Sequence, residues 1–237
     1  MSVNKNSMMK KILTNIGWLF FDKVLRLGIG LVVVMWLARY LGPEQFGQLN
    51  FVVALVAVFG VFATLGLKGI VVRDLLDQPE EQQVILGSAF LLKIVAALSV
   101  YLLLVVTIFI IKPDDVLSKT MVAILGLSIV FKSTEVVNFW FESQVKSKYV
   151  VWVENSVFMA ISLMKMLMLW QQAPLIAFIW VMLIESIIVG VVLLFVYAKV
   201  VLNPLNWQAT KIRIKSLLHD SWPLIISSAA WIVYTRI

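Results

Sequence analysis

Charged side chains lie deep inside two of the long apolar runs of this 237-residue chain. Lys93 is about 14 Å into one run and Glu185 about 15 Å into another, at 1.5 Å of helix rise per residue. Neither has an oppositely charged neighbour on its own helix. A charge near the centre of a bilayer costs about 2.5 to 3.5 kcal/mol on insertion scales. Lys93 and Glu185 therefore require a polar cavity or partners from other helices, and both are candidates for a functional role.

Two further runs carry charges that share one helix face. Asp22 and Arg26 are four residues apart and can form an ion pair. Glu154, Ser162 and Lys165 recur at helical spacing on one face of a later run. Each group has a structural alternative: the Asp22 and Arg26 pair can fix helix packing, and the Lys165 ammonium can extend to a nearby membrane face.

A stripe of polar residues lies along one face of the apolar run that begins at residue 120. Its members recur at steps of three and four residues between Val, Ile, Leu and Phe, so they predict a helix with one face on a polar interior. A structural ion pair between Lys132 and Glu135 is an equal alternative, and Glu142 is close enough to a membrane face to reach it. The stripe consists of Ser128, Lys132, Glu135, Asn138 and Glu142.

The elements that hold these charges are predicted to be membrane-spanning helices. Hydrophobic residues make up 62% of the chain and charged residues 14%, and the mean hydropathy is +0.98. This is too little polar surface for a water-soluble protein of this length. At about 20 residues per crossing, we predict an all-α polytopic bundle of six spans plus part of a seventh. The predicted spans cover residues 12–40, 50–67, 84–111, 120–141, 149–170 and 175–198, with the seventh beginning at Ser221.

The connections between the runs define the predicted domains. Helix-breaking or charged segments occur at Gly42-Pro43 and at residues 73–81, 112–115 and 171–174. The segment 203–220 is the longest connection, and its alternating basic residues and isoleucines predict an amphipathic helix on the inner membrane surface. We therefore predict a six-helix lobe over residues 1–200, a cytoplasmic linker over 201–220, and the start of a second lobe, cut short, over 221–237.

The cations between the runs are distributed unequally. Lys and Arg concentrate on the cytoplasmic side of bacterial membrane proteins, so the richer side is predicted to be cytoplasmic and to include the N-terminus. The richer side has Lys5, Lys10, Lys11, Lys68, Arg73, Lys146, Lys148, Lys199, Lys211, Arg213 and Lys215, against Arg39, Lys112 and Lys119 on the other.

Several functional classes are disfavoured. The cations are spread through short connections and form no basic face for nucleic acid. The absence of cysteine excludes disulfides and cysteine-based metal or redox sites. The single histidine, His219, is beside Asp220 in a connection, where solvation explains it. We expect no metal, cofactor or catalytic residue.

Several motifs lie near the ends of the apolar runs. They are WLFFDKVLR at residues 18–26, ARYLGPEQFG at 38–47, Gly66-Leu67, Arg73-Asp74-Leu75, Phe139-Trp140-Phe141 before Ser143-Gln144, and Tyr234-Thr235-Arg236-Ile237. Together they resemble bacterial oligosaccharide flippases of the Wzx kind, in the multidrug/oligosaccharidyl-lipid/polysaccharide exporter superfamily. The resemblance extends along the whole chain and matches the N-terminal half of such a protein.

The resemblance implies a transporter in the bacterial inner membrane. Its members have about twelve or more spans in two lobes around a central, often cationic cavity. The implied activity is translocation of polyprenyl-pyrophosphate oligosaccharide repeat units for O-antigen, lipopolysaccharide or a related surface polymer. The implied partners are the lipid-linked oligosaccharide, membrane lipid and the polysaccharide polymerase machinery.

A diphosphate headgroup needs cations along a wet route while its polyprenyl tail stays in lipid. Arg26, Lys93, Lys132 and Lys165 are the predicted substrate-binding residues. The predicted charge-balancing or ion-coupling residues are Asp22, Glu135, Glu154 and Glu185.

Two alternative functions stay open. An exporter of another lipid or of drugs in the same superfamily would share the bundle. A membrane-embedded sugar-transfer enzyme is disfavoured, because the chain has no Gly-rich phosphate loop, and its connections are too short for the loop in which such a catalytic site usually lies.

Overall fold

The computed structural model of the chain describes residues 5–201 and 206–221. Within these ranges, side chains are described at Phe20 and from residue 23 onward. The described residues form α-helices and short 3-10 turns with no β-strand among them, so the predicted all-α class is confirmed. Five helical stretches of this part are long and apolar enough to cross a membrane. The predicted seventh span lies outside the described residues except for Ser221.

The helices follow one another with short connections, as in an up-and-down bundle. Their order is α1 (Lys5–Thr64), α2 (Leu67–Asp77), α3 (Gln82–Ile111), α4 (Val116–Phe131), a 3-10 segment (Lys132–Glu135), α5 (Val136–Ser143), α6 (Lys148–Trp170) and α7 (Leu175–Val200), with a last helix, α8, over residues 211–221.

Helix α1 has a sharp bend at Gly42. At 60 residues a straight helix would measure about 90 Å, roughly three times the thickness of the hydrocarbon core. Gly42 has φ 70° and ψ 175°, a left-handed backbone that favours glycine. The predicted break is therefore present, but the second arm begins at Pro43, earlier than the predicted residue 50, because proline suits the first turn of a helix. If each arm crosses the membrane, the chain has the six predicted spans, and that count stays a prediction.

Two contacts place the Gly42 bend at the same end of the bundle as the loop before α4 and the loop before α7. The Tyr40 hydroxyl donates to the carbonyl oxygen of Ala173 in the loop before α7 (3.0 Å). The Lys112 ammonium, at the end of α3, lies 4.7 Å from the ring centre of Phe51 in the second arm of α1. Successive long helices therefore run in opposite directions.

Helix α2 lies at the opposite end and corrects the sequence analysis. The predicted helix-breaking segment at residues 73–81 begins inside this helix, which continues to Asp77. The helix forms there because its apolar residues recur at helical spacing and pack against α5 and the start of α3. Its buried apolar residues are Leu67, Ile70, Val71 and Leu75.

The fourth predicted span, residues 120–141, is not a continuous α-helix. The 3-10 segment Lys132–Glu135 separates α4 from α5. A 3-10 turn in the middle of a helix changes the direction of the carbonyl groups and often marks a functional hinge. The polar residues Ser133 and Thr134 within an otherwise apolar run accompany this break.

The two larger apolar clusters of the core lie on either side of a polar centre. The first cluster includes Val56, Leu125 and Ile129, and the second includes Leu193 and Tyr197. Of these residues, all except Tyr197 also line a cavity. The cavity therefore lies between the two apolar clusters, at the level where the 3-10 segment interrupts the fourth span.

The predicted linker helix is present as α8, one side of which packs on the bundle, and its place on the inner membrane surface stays a prediction. Leu217 is 1% exposed and packs in the second apolar cluster. Arg213 donates to Asp74 of α2 at 2.7 Å. The buried side of α8 thus faces the end of the bundle, because α2 and α3 offer it both an apolar surface and a carboxylate.

Candidate functional site

A cavity of about 580 Å³ lies inside the helix bundle. Its walls come from both arms of α1 and from α3, α4, the 3-10 segment, α6 and α7. Irregular backbone is tolerated at membrane depth where it lines such a cavity. Six of the eight site residues predicted from the sequence line it, namely Arg26, Lys93, Lys132, Glu135, Glu154 and Glu185.

Lys93 lies at the cavity wall, where the 3-10 segment of the fourth predicted span binds its ammonium group. Its side chain is 4% exposed, against 41% for that of Glu135. The ammonium donates to a Glu135 carboxylate oxygen (3.3 Å) and to the backbone carbonyl oxygen of Lys132 (3.3 Å). It also lies 5.2 Å from the ring centre of Phe139, a favourable position for a cation. Lys93 therefore satisfies a carbonyl group in the 3-10 segment.

The other side of the 3-10 segment packs closely on α7. The Thr134 hydroxyl donates to the carbonyl oxygen of Phe131 (2.8 Å), which supplies a partner at the break. Gly190 lies opposite, and a Cβ atom there would be 2.9 Å from Thr134 Oγ1. The segment is thus fixed between Lys93 on α3 and Gly190 on α7.

Arg26 of the first arm pairs with Glu154 of α6. The guanidinium donates to a Glu154 carboxylate oxygen at 2.8 Å and lies 5.6 Å from the ring centre of Phe158. The Asn138 amide donates to the other Glu154 oxygen at 3.2 Å. The predicted partner Asp22 lies outside the residues whose side chains are described.

Lys165 and Glu185 form an ion pair between α6 and α7 at 3.1 Å. The Lys165 side chain is 16% exposed, so it points to its partner helix and does not extend to a membrane face as the alternative had it. Glu185 is one of the residues that line the cavity, and Lys165 is not. Glu142, the other residue expected near a membrane face, pairs with Lys68 at 2.9 Å.

Lys132 differs from the other cations of the site. Glu135, its predicted partner, pairs with Lys93 instead. Among the described residues, the Lys132 ammonium forms no salt bridge. The other three predicted cations (Arg26, Lys93 and Lys165) each pair with a described acid. Lys132 is exposed and lies on the cavity wall.

Sequence reasoning found the charged residues but missed how they pair. Lys93 with Glu135, Arg26 with Glu154 and Lys165 with Glu185 each join two different helices, whereas spacing within one helix reports only same-helix neighbours. The pair Ser133-Thr134 was the one local sign of the helix break. The role of Gly190 had no sequence signal apart from its residue type.

The sequence matches the model of the family described as "Polysaccharide biosynthesis protein" over residues 12–237. The chain belongs to this family. No curated protein matches it, and no solved structure does.

Membership in the polysaccharide biosynthesis family agrees with the resemblance noted in the sequence. Together with the long apolar helices, it identifies a membrane protein associated with polysaccharide synthesis. Within the described part of the chain, no group of three His, Asp or Glu side chains is arranged to hold a metal ion. The charged cavity, which holds six of the predicted site residues, is the candidate functional site.

Proposed function

We propose that this chain forms one lobe of a flippase that moves polyprenyl-pyrophosphate-linked oligosaccharides across the bacterial inner membrane. The proposal rests on one observation: a cavity inside an apolar bundle is lined by three cations and three acids. Charges at this depth are costly and mark substrate or ion pathways in membrane proteins. The family supplies the link to polysaccharide synthesis.

The cavity suits the polar half of a lipid-linked sugar. A volume of about 580 Å³ is within the roughly 300 to 1,000 Å³ of small-molecule sites. Ser128, Thr134 and Ser186 add polar side chains to its wall, and hydroxyl groups exchange hydrogen bonds with sugars. The polyprenyl tail would stay in the surrounding lipid.

We assign Lys132 as the main diphosphate contact. It is exposed on the cavity wall, and its charge is not consumed by a salt bridge among the described residues. Arg26 is a second contact, since its side chain is 34% exposed and a guanidinium binds phosphate oxygens in a bidentate manner. Lys93 is too deeply buried to meet a headgroup in this conformation, and we assign it to positioning the segment that carries Lys132.

The acids keep the net charge of the cavity wall close to zero. Glu135, Glu154 and Glu185 each neutralise one cation, which lowers the cost of holding these charges within the membrane. A diphosphate that binds Lys132 and Arg26 would compete with Glu154 for the guanidinium. We propose that this exchange of partners accompanies the change between inward-open and outward-open states, by movement of one lobe against the other.

Replacement of Lys132 in cells tests this function. With the protein expressed from its native gene, Lys132→Gln should lower surface polysaccharide about tenfold or more at unchanged protein level, because one charged hydrogen bond contributes about 1.5 to 3 kcal/mol. Lys132→Arg should retain most of the activity. Lys119→Gln, at the end of the bundle, is the matched control. Normal polymer from the Lys132→Gln variant would refute the assignment.

A further inference from the structure

The segment that leads into α8 is attached to the first turns of α3. The Gln208 amide donates to the carbonyl oxygen of Gln83 (3.3 Å), and the Thr210 amide donates to Ser88 Oγ (3.2 Å). Ser88 is six residues after the start of α3, about 9 Å along its axis. Because the apolar run of α3 begins in these turns, α8 starts at the boundary between the headgroups and the hydrocarbon.

One side of α8 is fixed to the bundle. Arg213 donates to Asp74 (2.7 Å) and to the Gln78 side chain (3.2 Å). The Arg213 side chain is 16% exposed. Its charge is therefore neutralised by Asp74 and does not face the lipid. Leu217, one turn further on the same side, is buried at 1% exposure.

The opposite side of α8 carries the remaining cations of this helix. Lys211 and Lys215 are one turn apart and both exposed, so they share one face. Ile212 lies beside the two lysines on this face and is 86% exposed. His219 continues the face by one more turn. This face thus combines two lysines with an exposed apolar side chain beside them, at interfacial depth.

We propose that this face binds the phosphate groups of anionic phospholipids. Lys211 and Lys215 hold the headgroup, and Ile212 enters the adjoining layer of acyl chains. This combination of basic and apolar side chains on one face is the arrangement by which surface helices bind anionic membranes. A lysine near an anionic surface contributes about a fivefold preference. The site is separate from the cavity and does not depend on the proposed transport.

The bound lipid would also act on the bundle. The lysines and Arg213 project from opposite sides of the same short helix, and Arg213 is bonded to α2. Occupation of the lipid site therefore restrains α8, and with it α2 and the first turns of α3. This makes α8 a link between lipid charge and the end of the helix bundle.

Quenching by labelled lipids tests the site. The 237-residue chain has no cysteine, so Ile212→Cys provides a single point for a bimane fluorophore. The labelled protein is reconstituted in phosphatidylcholine vesicles that contain brominated phosphatidylglycerol or, in parallel, brominated phosphatidylcholine. Leu102→Cys is the control, since Leu102 is 63% exposed on an apolar part of α3.

The expected result at residue 212 is a preference of about fivefold or more for phosphatidylglycerol, and no preference at residue 102. The double variant Lys211→Gln/Lys215→Gln should abolish the preference, whereas Lys211→Arg/Lys215→Arg should retain it. Unchanged quenching at residue 102 shows that each variant is inserted. Equal quenching by both lipids, absence of quenching at 212, or a preference that survives in the Gln variant would each overturn the proposal.

Discussion

The ammonium of Lys93 lies 3.3 Å from a carboxylate oxygen of Glu135, although the two residues are 42 positions apart in the chain. The two sides of this pair are unequally exposed, at 4% for Lys93 and 41% for Glu135. Glu135 can therefore be solvated by water in the cavity when it loses its partner, whereas Lys93 cannot. The consequences of removing each partner should differ accordingly.

The first prediction concerns this inequality. Glu135→Gln leaves a buried cation without its carboxylate and should destabilise the protein by about 3 to 5 kcal/mol. Lys93→Met should destabilise the protein less, because the residue that it leaves unpaired, Glu135, is the more exposed of the two. The double variant should recover much of the loss of Glu135→Gln. The measurement is unfolding in a mixed-detergent titration, analysed as a double-mutant cycle.

Lys68 and Glu142 provide the matched control for this cycle. Their side chains are 62% and 40% exposed. The coupling energy between them should therefore be no larger than about 1 kcal/mol. A coupling energy between Lys93 and Glu135 as small as that of the control pair would show that the buried pair does not fix the 3-10 segment.

The second prediction concerns the contact between α7 and the 3-10 segment. Gly190→Ala puts a Cβ atom 2.9 Å from Thr134 Oγ1 and 3.4 Å from the Phe131 carbonyl oxygen. Overpacking of this kind should destabilise the protein by about 1 to 3 kcal/mol. Gly190→Ala combined with Thr134→Ala should recover part of the loss, because the clashing hydroxyl is gone.

Gly60→Ala is the control for this substitution. Its new Cβ would have its nearest neighbour, Ile129 Cγ1, at 3.9 Å, so it should be neutral or stabilising by up to about 1 kcal/mol. Thermal unfolding in detergent compares the variants. Equal stability of Gly190→Ala and Gly60→Ala would show that α7 can move away from the 3-10 segment at little energetic cost, so that their close contact does not fix the segment.

The third prediction concerns Asp115, which caps the start of α4. Its carboxylate accepts from the Ser118 amide (2.9 Å) and the Ser118 hydroxyl (2.6 Å). These bonds and the Lys112 ammonium lower the pKa of Asp115 to about 2. Asp115→Ala should cost about 0.5 to 2 kcal/mol at pH 7.

The pH dependence of Asp115 follows from the direction of the shift. A lowered pKa means that the folded protein favours the ionised form, so the stabilisation is complete above the unfolded pKa of about 3.9 and declines toward pH 2. The difference in melting temperature between wild type and Asp115→Ala should therefore be constant from pH 7 to 5 and smaller at pH 3. A constant difference throughout would exclude the ionised cap.

The fourth prediction concerns orientation. The excess of cations on one side predicts a cytoplasmic N-terminus, which places Asp114 outside and Gln144 inside. Single cysteines at these exposed positions can be labelled with an impermeant maleimide on cells stripped of their outer membrane. Asp114→Cys should react and Gln144→Cys should not. The reverse pattern would invert the topology.

Much of the bundle could be predicted because the bilayer imposes simple constraints on sequence. The third, fifth and sixth predicted spans end within two residues of α3, α6 and α7, since charge and helix breakers bound their apolar runs. The break at Gly42 was predictable from residue type. Helix α2 was missed because its acidic C-terminal part hid the apolar spacing of its first turns.

The charges of the site were also predictable, whereas their partners were not. Each buried charge is visible in the sequence because it interrupts an apolar run. Whether Glu135 meets Lys132 or Lys93 depends on the 3-10 segment, which turns the Glu135 side chain toward α3. Such a change of direction arises from packing between helices, and periodicity within one helix does not report it.

Lys132 is the residue proposed to bind the lipid-linked diphosphate, and its contact with that group is the central feature of the proposed transport. Native mass spectrometry of the purified protein with a polyprenyl-pyrophosphate oligosaccharide measures this contact directly. Wild type and Lys132→Arg should bind with similar affinity. Lys132→Gln should bind about 10 to 100 times more weakly, as expected for the loss of one charged hydrogen bond. Equal affinity of Lys132→Gln and wild type, with both proteins folded, would contradict the account.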